Sequence, residues 1–122
     1  MDPRAVTFLR DLAREAPSAV TIRGDCMSPL LASGDEIRVR AKHVYLPGDV
    51  LIFRTRAGDL AAHRVLGWRP AGLITKGDHC VEHDAPVARG AIIGAADVHV
   101  RLADRVRALA QLARILVSRI VR

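Results

Sequence analysis

The apolar positions change rhythm twice along the chain. Near the N-terminus Val6, Phe8, Leu9, Leu12 and Ala13 recur at helical spacing, which predicts a short amphipathic helix. Asp2 stands at the N-cap position and Pro3 at the first helical one, where a backbone N–H has no helical partner to lose. Ala16-Pro17-Ser18 ends that helix. From Val20 to Val100 the pattern becomes short β-rich runs broken by Gly, Pro and Asp: Val20–Ile22, Glu36–Arg40, Val50–Thr55, Leu60–Trp68, Gly72–Thr75 and Ile92–Val100. Ile37 and Val39 alternate with Glu36, Arg38 and Arg40, the period of a half-buried strand. Arg56-Ala57-Gly58-Asp59 and the stretch from Trp68 to Gly72 read as hairpin turns. Many short strands with few helices predict a mainly β domain, built as a folded-over β-sheet or partial barrel.

After Arg101 the helical rhythm returns. Leu102, Val106, Leu109, Ala113, Leu116 and Ile120 recur at steps of four and three, the stripe of an amphipathic C-terminal helix. Arg101, Arg105, Arg107, Arg114, Arg119 and Arg122 occupy much of the remainder. Such a helix packs its stripe on the domain, pairs with a copy of itself, or serves as a basic membrane-surface or partner-docking helix. The chain therefore divides into an N-terminal helix (1–18), a β domain (19–100) and a basic helix (101–122).

Composition narrows the classes. A chain of 122 residues buries one core without disulfides or metal. Half the residues are apolar but only 3% aromatic, so that core is Val, Ile, Leu and Ala. No run approaches the roughly 18 apolar residues of a membrane span, and the N-terminus lacks a signal-peptide pattern. The formal charge is +6, with Lys42 and Lys76 the only lysines. An Arg-rich surface of this kind points to an anionic partner or to plain solvation. Two cysteines, Cys26 and Cys80, make no disulfide framework. A bond between them stays open, but a thiol that does chemistry needs a reducing compartment, which points to the cytoplasm.

The candidate chemistry gathers around a turn. Gly24-Asp25-Cys26-Met27-Ser28-Pro29, closed by Gly34-Asp35, separates Ala19-Val20-Thr21-Ile22 from the strand Glu36–Arg40. A thiol held open between rigid flanks is a common placement for a nucleophile; the alternative is a small buried hydrophobe. A thiol attacks as thiolate and needs a base, for which His63 is the candidate. Alternation puts His63 with Ala61 and Val65 on one face of an apolar strand. Asp84 and Asp78 are candidates for the acid that orients the imidazole, although each also suits a turn. The run His79-Cys80-Val81-Glu82-His83-Asp84 has ligand-like His spacing if helical, but no Cys-x-x-Cys pair supports a metal there.

These segments resemble the signal peptidase I family. Gly24-x-Cys26-Met27-x-Pro29 with Gly34-Asp35 is similar to its Gly-x-Ser-Met-x-Pro and Gly-Asp box, with Cys26 in the serine's place. Leu46-Pro47-Gly48-Asp49-Val50 resembles its Pro-Gly-Asp-Val segment. Ala62-His63-Arg64-Val65 and Thr75-Lys76-Gly77-Asp78, with Asp84 after them, resemble the His-Arg-Val and Thr-Lys-Gly-Asp boxes of the endoplasmic-reticulum and archaeal branch. The resemblance spans Thr21 to Gly94. It implies the signal peptidase/LexA catalytic-domain fold, Cys26 as nucleophile, His63 as base, Asp84 as orienting acid and Asp78 as support. Ser28 falls at a variable position of the box, and the lysines do not match the family's lysine-base branch.

The resemblance implies an endopeptidase that cleaves a peptide or leader sequence beside small residues. The alternative is an inactive peptide-binding or dimerisation module, as in LexA-type repressors. No cofactor or metal is expected. The expected partner is a peptide or precursor protein, with a homodimer and a membrane-surface or partner-protein contact through the C-terminal helix as further candidates. About twenty residues precede the box, too few for three DNA-binding helices, so sequence-specific nucleic acid is not expected. The family's usual anchor gives way here to a short charged segment, which argues against routine secretory cleavage and for a cytoplasmic or membrane-peripheral protein.

Overall fold

The computed structural model describes residues 2–16, 18–22, 24, 26–27 and 30–121, positions 120 and 121 without their side chains. Of the residues singled out above, Pro17, Asp25, Ser28, Pro29 and Arg122, with the side chain of Ile120, lie outside the described residues. Helix α1 (Pro3–Glu15) begins where the cap pattern places it, with the Asp2 side chain accepting from the Arg4 N–H at 2.8 Å. Six strands follow: β1 (Ser18–Thr21), β2 (Glu36–Arg40), β3 (Val50–Arg54), β4 (Leu60–Arg69), β5 (Gly72–Lys76) and β6 (Ile92–Ala96), the last preceded by a 3₁₀ turn at Arg89–Ala91. Helix α2 (Leu102–Val121) closes the chain.

All neighbouring strands pair antiparallel in one sheet of order β1-β2-β6-β3-β4-β5. The fold is thus mainly β with a helix at each end, and β6 lies between β2 and β3 in the middle of the sheet. β6 stops at Ala96, short of the predicted run to Val100, because the Val98 N–H turns back onto the Ala96 carbonyl at 2.9 Å. Central β3 is apolar at every inward position on both sides. Val50 and Ile52 join one cluster with Val6, Ala13, Met27 and Val39, while Leu51 and Phe53 join another with Tyr45, Val65, Leu73 and Val87. A strand buried on both faces loses the simple alternation seen in β2.

α1 covers the first cluster through Val6 and Ala13, and its Arg10 caps the end of β6 by donating to the carbonyls of Ile92, Arg89 and Gly90. α2 packs on β4 and β5, with Ala108, Leu112 and Ile115 against Leu66 and Ile74. Of the options open to the predicted stripe, this corrects the first, packing on the domain. Leu102, Val106 and Leu109 of the predicted stripe point to solvent, at 77%, 58% and 51% exposure. The docked face is chosen by polar and steric anchors instead. Arg105 donates to Pro47 O and Asp49 Oδ1, both at 3.1 Å, and any Cβ on Gly48 would come within 2.8 Å of the Arg105 side chain. Gly67 leaves the room that Leu112 fills. No helix among the described residues is long and apolar enough to cross a membrane.

Candidate active site

The Cys26 turn hangs from a closed neck. Ile22 and the Gly34-Asp35 pair hydrogen-bond across its base, Gly34 N–H to Ile22 O at 3.0 Å and Ile22 N–H to Asp35 O at 3.4 Å. Gly34 has φ +88° there, a left-handed conformation that favours glycine. Asp35 also accepts from the Ala32 N–H at 2.8 Å, and Ser33 Oγ accepts from the Gly24 N–H at 3.2 Å. Inside the loop Met27 is buried in the core, which pins the residue next to Cys26. Its sulfur lies 3.3 Å from the Asp78 N–H.

The turn is tied on its far side to the segment after β5: the His79 N–H donates to the Cys26 carbonyl at 2.9 Å. β1 and β5 are the two outermost strands of the sheet. Six strands laid flat at about 4.8 Å spacing would hold their edges roughly 24 Å apart. Here the segments that follow the two edge strands meet, and Cys26 sits at that junction.

His63 stands on β4 opposite Leu51 of β3. Its ring lies edge-on to Phe53, with centroids 5.5 Å apart. Its Nδ1 bonds to Asp84 Oδ2, which also accepts from Thr75 Oγ1 at 2.7 Å. The Asp84 N–H donates to the Thr75 carbonyl at 2.8 Å, so β5 clamps the aspartate by backbone and side chain together. Burial alone would raise the Asp84 carboxyl, but the His63 and Thr75 hydrogen bonds outweigh it and hold the group below the usual carboxylate range. The His63 and Asp84 side chains keep 12% and 29% of their surface exposed. An imidazole gripped through Nδ1 presents Nε2 outward, the arrangement needed to pass a proton to or from a neighbour.

That neighbour is a pair of thiols. A ring nitrogen of His63 and the sulfurs of Cys26 and Cys80 all lie within 4.8 Å of one another. Both cysteines are half-buried and neither is in a disulfide. Gly77 makes the approach feasible, because a Cβ there would fall 2.7 Å from Cys26 Cβ and 2.7 Å from Cys80 Sγ. A thiol, an imidazole and a carboxylate in this order can carry out acyl transfer.

Asp78 takes a different place from Asp84. Its carboxylate receives Arg64 in a fork, Nε at 3.2 Å and Nη2 at 2.7 Å. Arg64, itself buried, also donates to Gly48 O at 2.9 Å and lies 4.0 Å from Asp104 of α2. Asp78 therefore ties the turn that carries Gly77 and Cys80 to Arg64 of β4 and does not reach His63. Asp49 of the Pro-Gly-Asp segment is likewise structural, accepting from Lys42 Nζ and the Leu46 N–H as well as Arg105.

Of the four residues named from sequence, the fold brings Cys26, His63 and Asp84 together and turns Asp78 to Arg64. His79 and His83 lie exposed on a non-helical segment, so their ligand-like spacing has no helix to act through. Sequence reasoning assigned no role to Thr75, Gly77 or Arg64, and left Cys80 beside the site without a function. Their signal was adjacency: each stands in a box already singled out, or just after it. A groove of about 740 Å³ runs between Lys76, Val81, Glu82 and His83 and the Arg114–Arg119 part of α2. Comparison with protein-family models, with curated proteins and with solved structures gave no match.

Proposed function

We propose that this chain is an endopeptidase of signal-peptidase-like fold that cleaves a peptide or leader sequence through Cys26, His63 and Asp84. One observation carries the reading: a thiol from the β1–β2 loop, an imidazole from β4 and a carboxylate from beyond β5 converge, with Nδ1 of the imidazole already held by the carboxylate. His63 takes the Cys26 proton, and the thiolate adds to the scissile carbonyl carbon. The tetrahedral oxyanion that forms requires hydrogen-bond donors beside the Cys26 sulfur. The imidazolium then protonates the departing amine as the C–N bond breaks. Water, deprotonated by His63, releases the peptide acid from the thioester and restores the thiol. Asp84 keeps the tautomer and stabilises the imidazolium throughout.

The substrate lies as an added strand along the outer edge of β1, next to Cys26. The opposite edge, at β5, is partly taken by Val87, which exchanges two backbone hydrogen bonds with Leu73. The test is the rate of Cys26 alkylation across pH, read site by site by peptide mass mapping, in the parent, His63→Ala and Asp84→Asn. The parent is expected to react at neutral pH at least about 10-fold faster than His63→Ala, in line with a general-base contribution of roughly 10²–10⁴. A Cys26 that reacts equally in all three removes the peptidase. The peptide-binding or dimerisation module of the same fold then takes its place.

A further inference from the structure

The peptidase reaction uses one thiol, yet the fold brings two to the same imidazole. We propose that Cys26, Cys80 and His63 form a binding site for a thiophilic divalent cation, Zn²⁺ above all, with Asp84 orienting the histidine from behind. Two thiolates and one imidazole are a soft donor set that favours zinc over magnesium or calcium. Three protein ligands leave a fourth tetrahedral position for water.

The geometry is close to what the ion requires. With Zn–S of about 2.3 Å and Zn–N of about 2.0 Å, tetrahedral ligand atoms stand roughly 3.5–3.8 Å apart. The three atoms here lie within 4.8 Å of one another before any ion draws them in, and side-chain rotation of about 1 Å closes the remainder. The second shell is also built. A ligating histidine characteristically gives its other ring nitrogen to a carboxylate, and His63 Nδ1 is bonded to Asp84, which Thr75 holds in turn. Gly77 is the steric condition for the site, since a Cβ there would clash with Cys26 Cβ and Cys80 Sγ, each at 2.7 Å. The three ligands come from the β1–β2 loop, from β4 and from the segment after β5, so the ion would fasten the loop that follows one edge strand to the β4–β5 side of the sheet.

Binding releases the protons carried by the two thiols and leaves the Zn²⁺ charge balanced by two thiolates. The site does not rest on the peptidase reading, but its consequence does. An ion on Cys26 Sγ and the outward nitrogen of His63 occupies both reacting atoms, so metal binding and acyl transfer exclude each other.

The test uses the full chain, reduced with a phosphine and kept anaerobic. Co²⁺ is titrated in as a spectroscopic probe, and Zn²⁺ is then added to displace it. One equivalent of Co²⁺ is expected, with a thiolate-to-metal charge-transfer band and tetrahedral d–d bands. Cys80→Ser and His63→Ala are each expected to bind at least about 100-fold more weakly, and Asp84→Asn about 10–100-fold more weakly. Circular dichroism of each variant confirms that it is folded. A spectrum without a thiolate band, a band that survives Cys80→Ser in full, or one lost on His83→Ala instead overturns the site. The two proposals fail separately. His63-dependent alkylation of Cys26 in the chelated parent without Co²⁺ binding removes the metal site alone, whereas Co²⁺ binding without that dependence removes the peptidase alone.

Discussion

His63 and Arg64 are neighbours on β4, and because side chains alternate they serve two regions that treat charge in opposite ways. Around Arg64 the polar groups are saturated. Its guanidinium is shared by Asp78, the Gly48 carbonyl and Asp104, while Asp49 next to Gly48 takes Lys42 and Arg105. Around His63 the hydrogen bonding is one-sided. Asp84 and Thr75 fill the space behind the ring, and the front faces two thiols. The first region joins α2 to the β3, β4 and β5 turns. The second holds reactive atoms at a spacing that a substrate or an ion can complete. A fold can afford an incomplete polar cluster on one face of a strand when the other face supplies the rigidity.

The largest effects test whether the incomplete cluster is the reactive one. With cleavage of a diverse peptide library followed by mass spectrometry, His63→Ala is expected to lower turnover by roughly 10³-fold or more, and Asp84→Asn by roughly 10²–10⁴-fold. Both are expected to keep the unfolding free energy within about 1 kcal/mol of the parent. A His63→Ala protein that cleaves normally breaks the comparison at once, because the two faces of β4 would then both be structural.

Arg64→Met asks the converse. Removing a buried guanidinium strands Asp78 and the Gly48 carbonyl, while Asp104 keeps its hydrogen bonds from Arg101. The exposure of Asp78, 38% of its side chain, moderates the loss to roughly 2–4 kcal/mol in chemical denaturation. Cys26 alkylation in the folded fraction is expected to stay within about 3-fold of the parent, well inside the effect of a lost general base. A large fall in reactivity with little loss of stability would mean that Arg64 belongs to the site.

Asp49 sharpens the same contrast through pH. Burial pushes its carboxyl up, but Lys42, the Leu46 N–H and Arg105 outweigh burial and hold it below the usual carboxylate range. The folded state therefore binds this proton less readily than the unfolded chain, whose carboxyl titrates near 3.9. The stabilisation is complete above that value and is lost as pH falls through the native one. Asp49→Asn is expected to cost about 1–3 kcal/mol at pH 6, and the gap from the parent should narrow steadily below about pH 4. A gap independent of pH would assign the effect to shape rather than charge.

How much of this was legible depends on what kind of force places each residue. The strands of β2 and β4 and the cap of α1 follow from local pattern, since alternation and capping act within a few residues. Cys26 stands out as a thiol in a Gly- and Pro-bounded turn, whereas His63, inside an apolar strand, and Asp84, at a turn, are singled out by the boxes their segments resemble. The Arg64–Asp78 pair was not legible, because an ion pair between a strand and the turn after its neighbour leaves no periodic trace. The same holds for the approach of Cys80 to Cys26, which depends on Gly77 having no side chain. Pattern locates elements, whereas long-range polar contacts and the absence of a Cβ decide which residues meet.

α2 is where that distinction has the smallest energetic consequence and the clearest reading. Leu102, Val106, Leu109 and Ala113 form one stripe at helical spacing, and Ala108, Leu112 and Ile115 form another. Hydrophobicity cannot choose between two such stripes. The choice falls to Arg105 on Asp49, to Asp104 near Arg64, and to Gly67, whose missing Cβ admits Leu112. Leu112→Gln is therefore expected to lose about 1–2 kcal/mol in chemical denaturation, through buried apolar area. Leu109→Gln should stay within about 0.5 kcal/mol, as an exposed substitution does. Equal losses from the two would mean that the Leu109 stripe is covered in solution, by a second copy or by the domain itself. Arg105 and Asp104 would then have ceased to decide which face of the helix is inside.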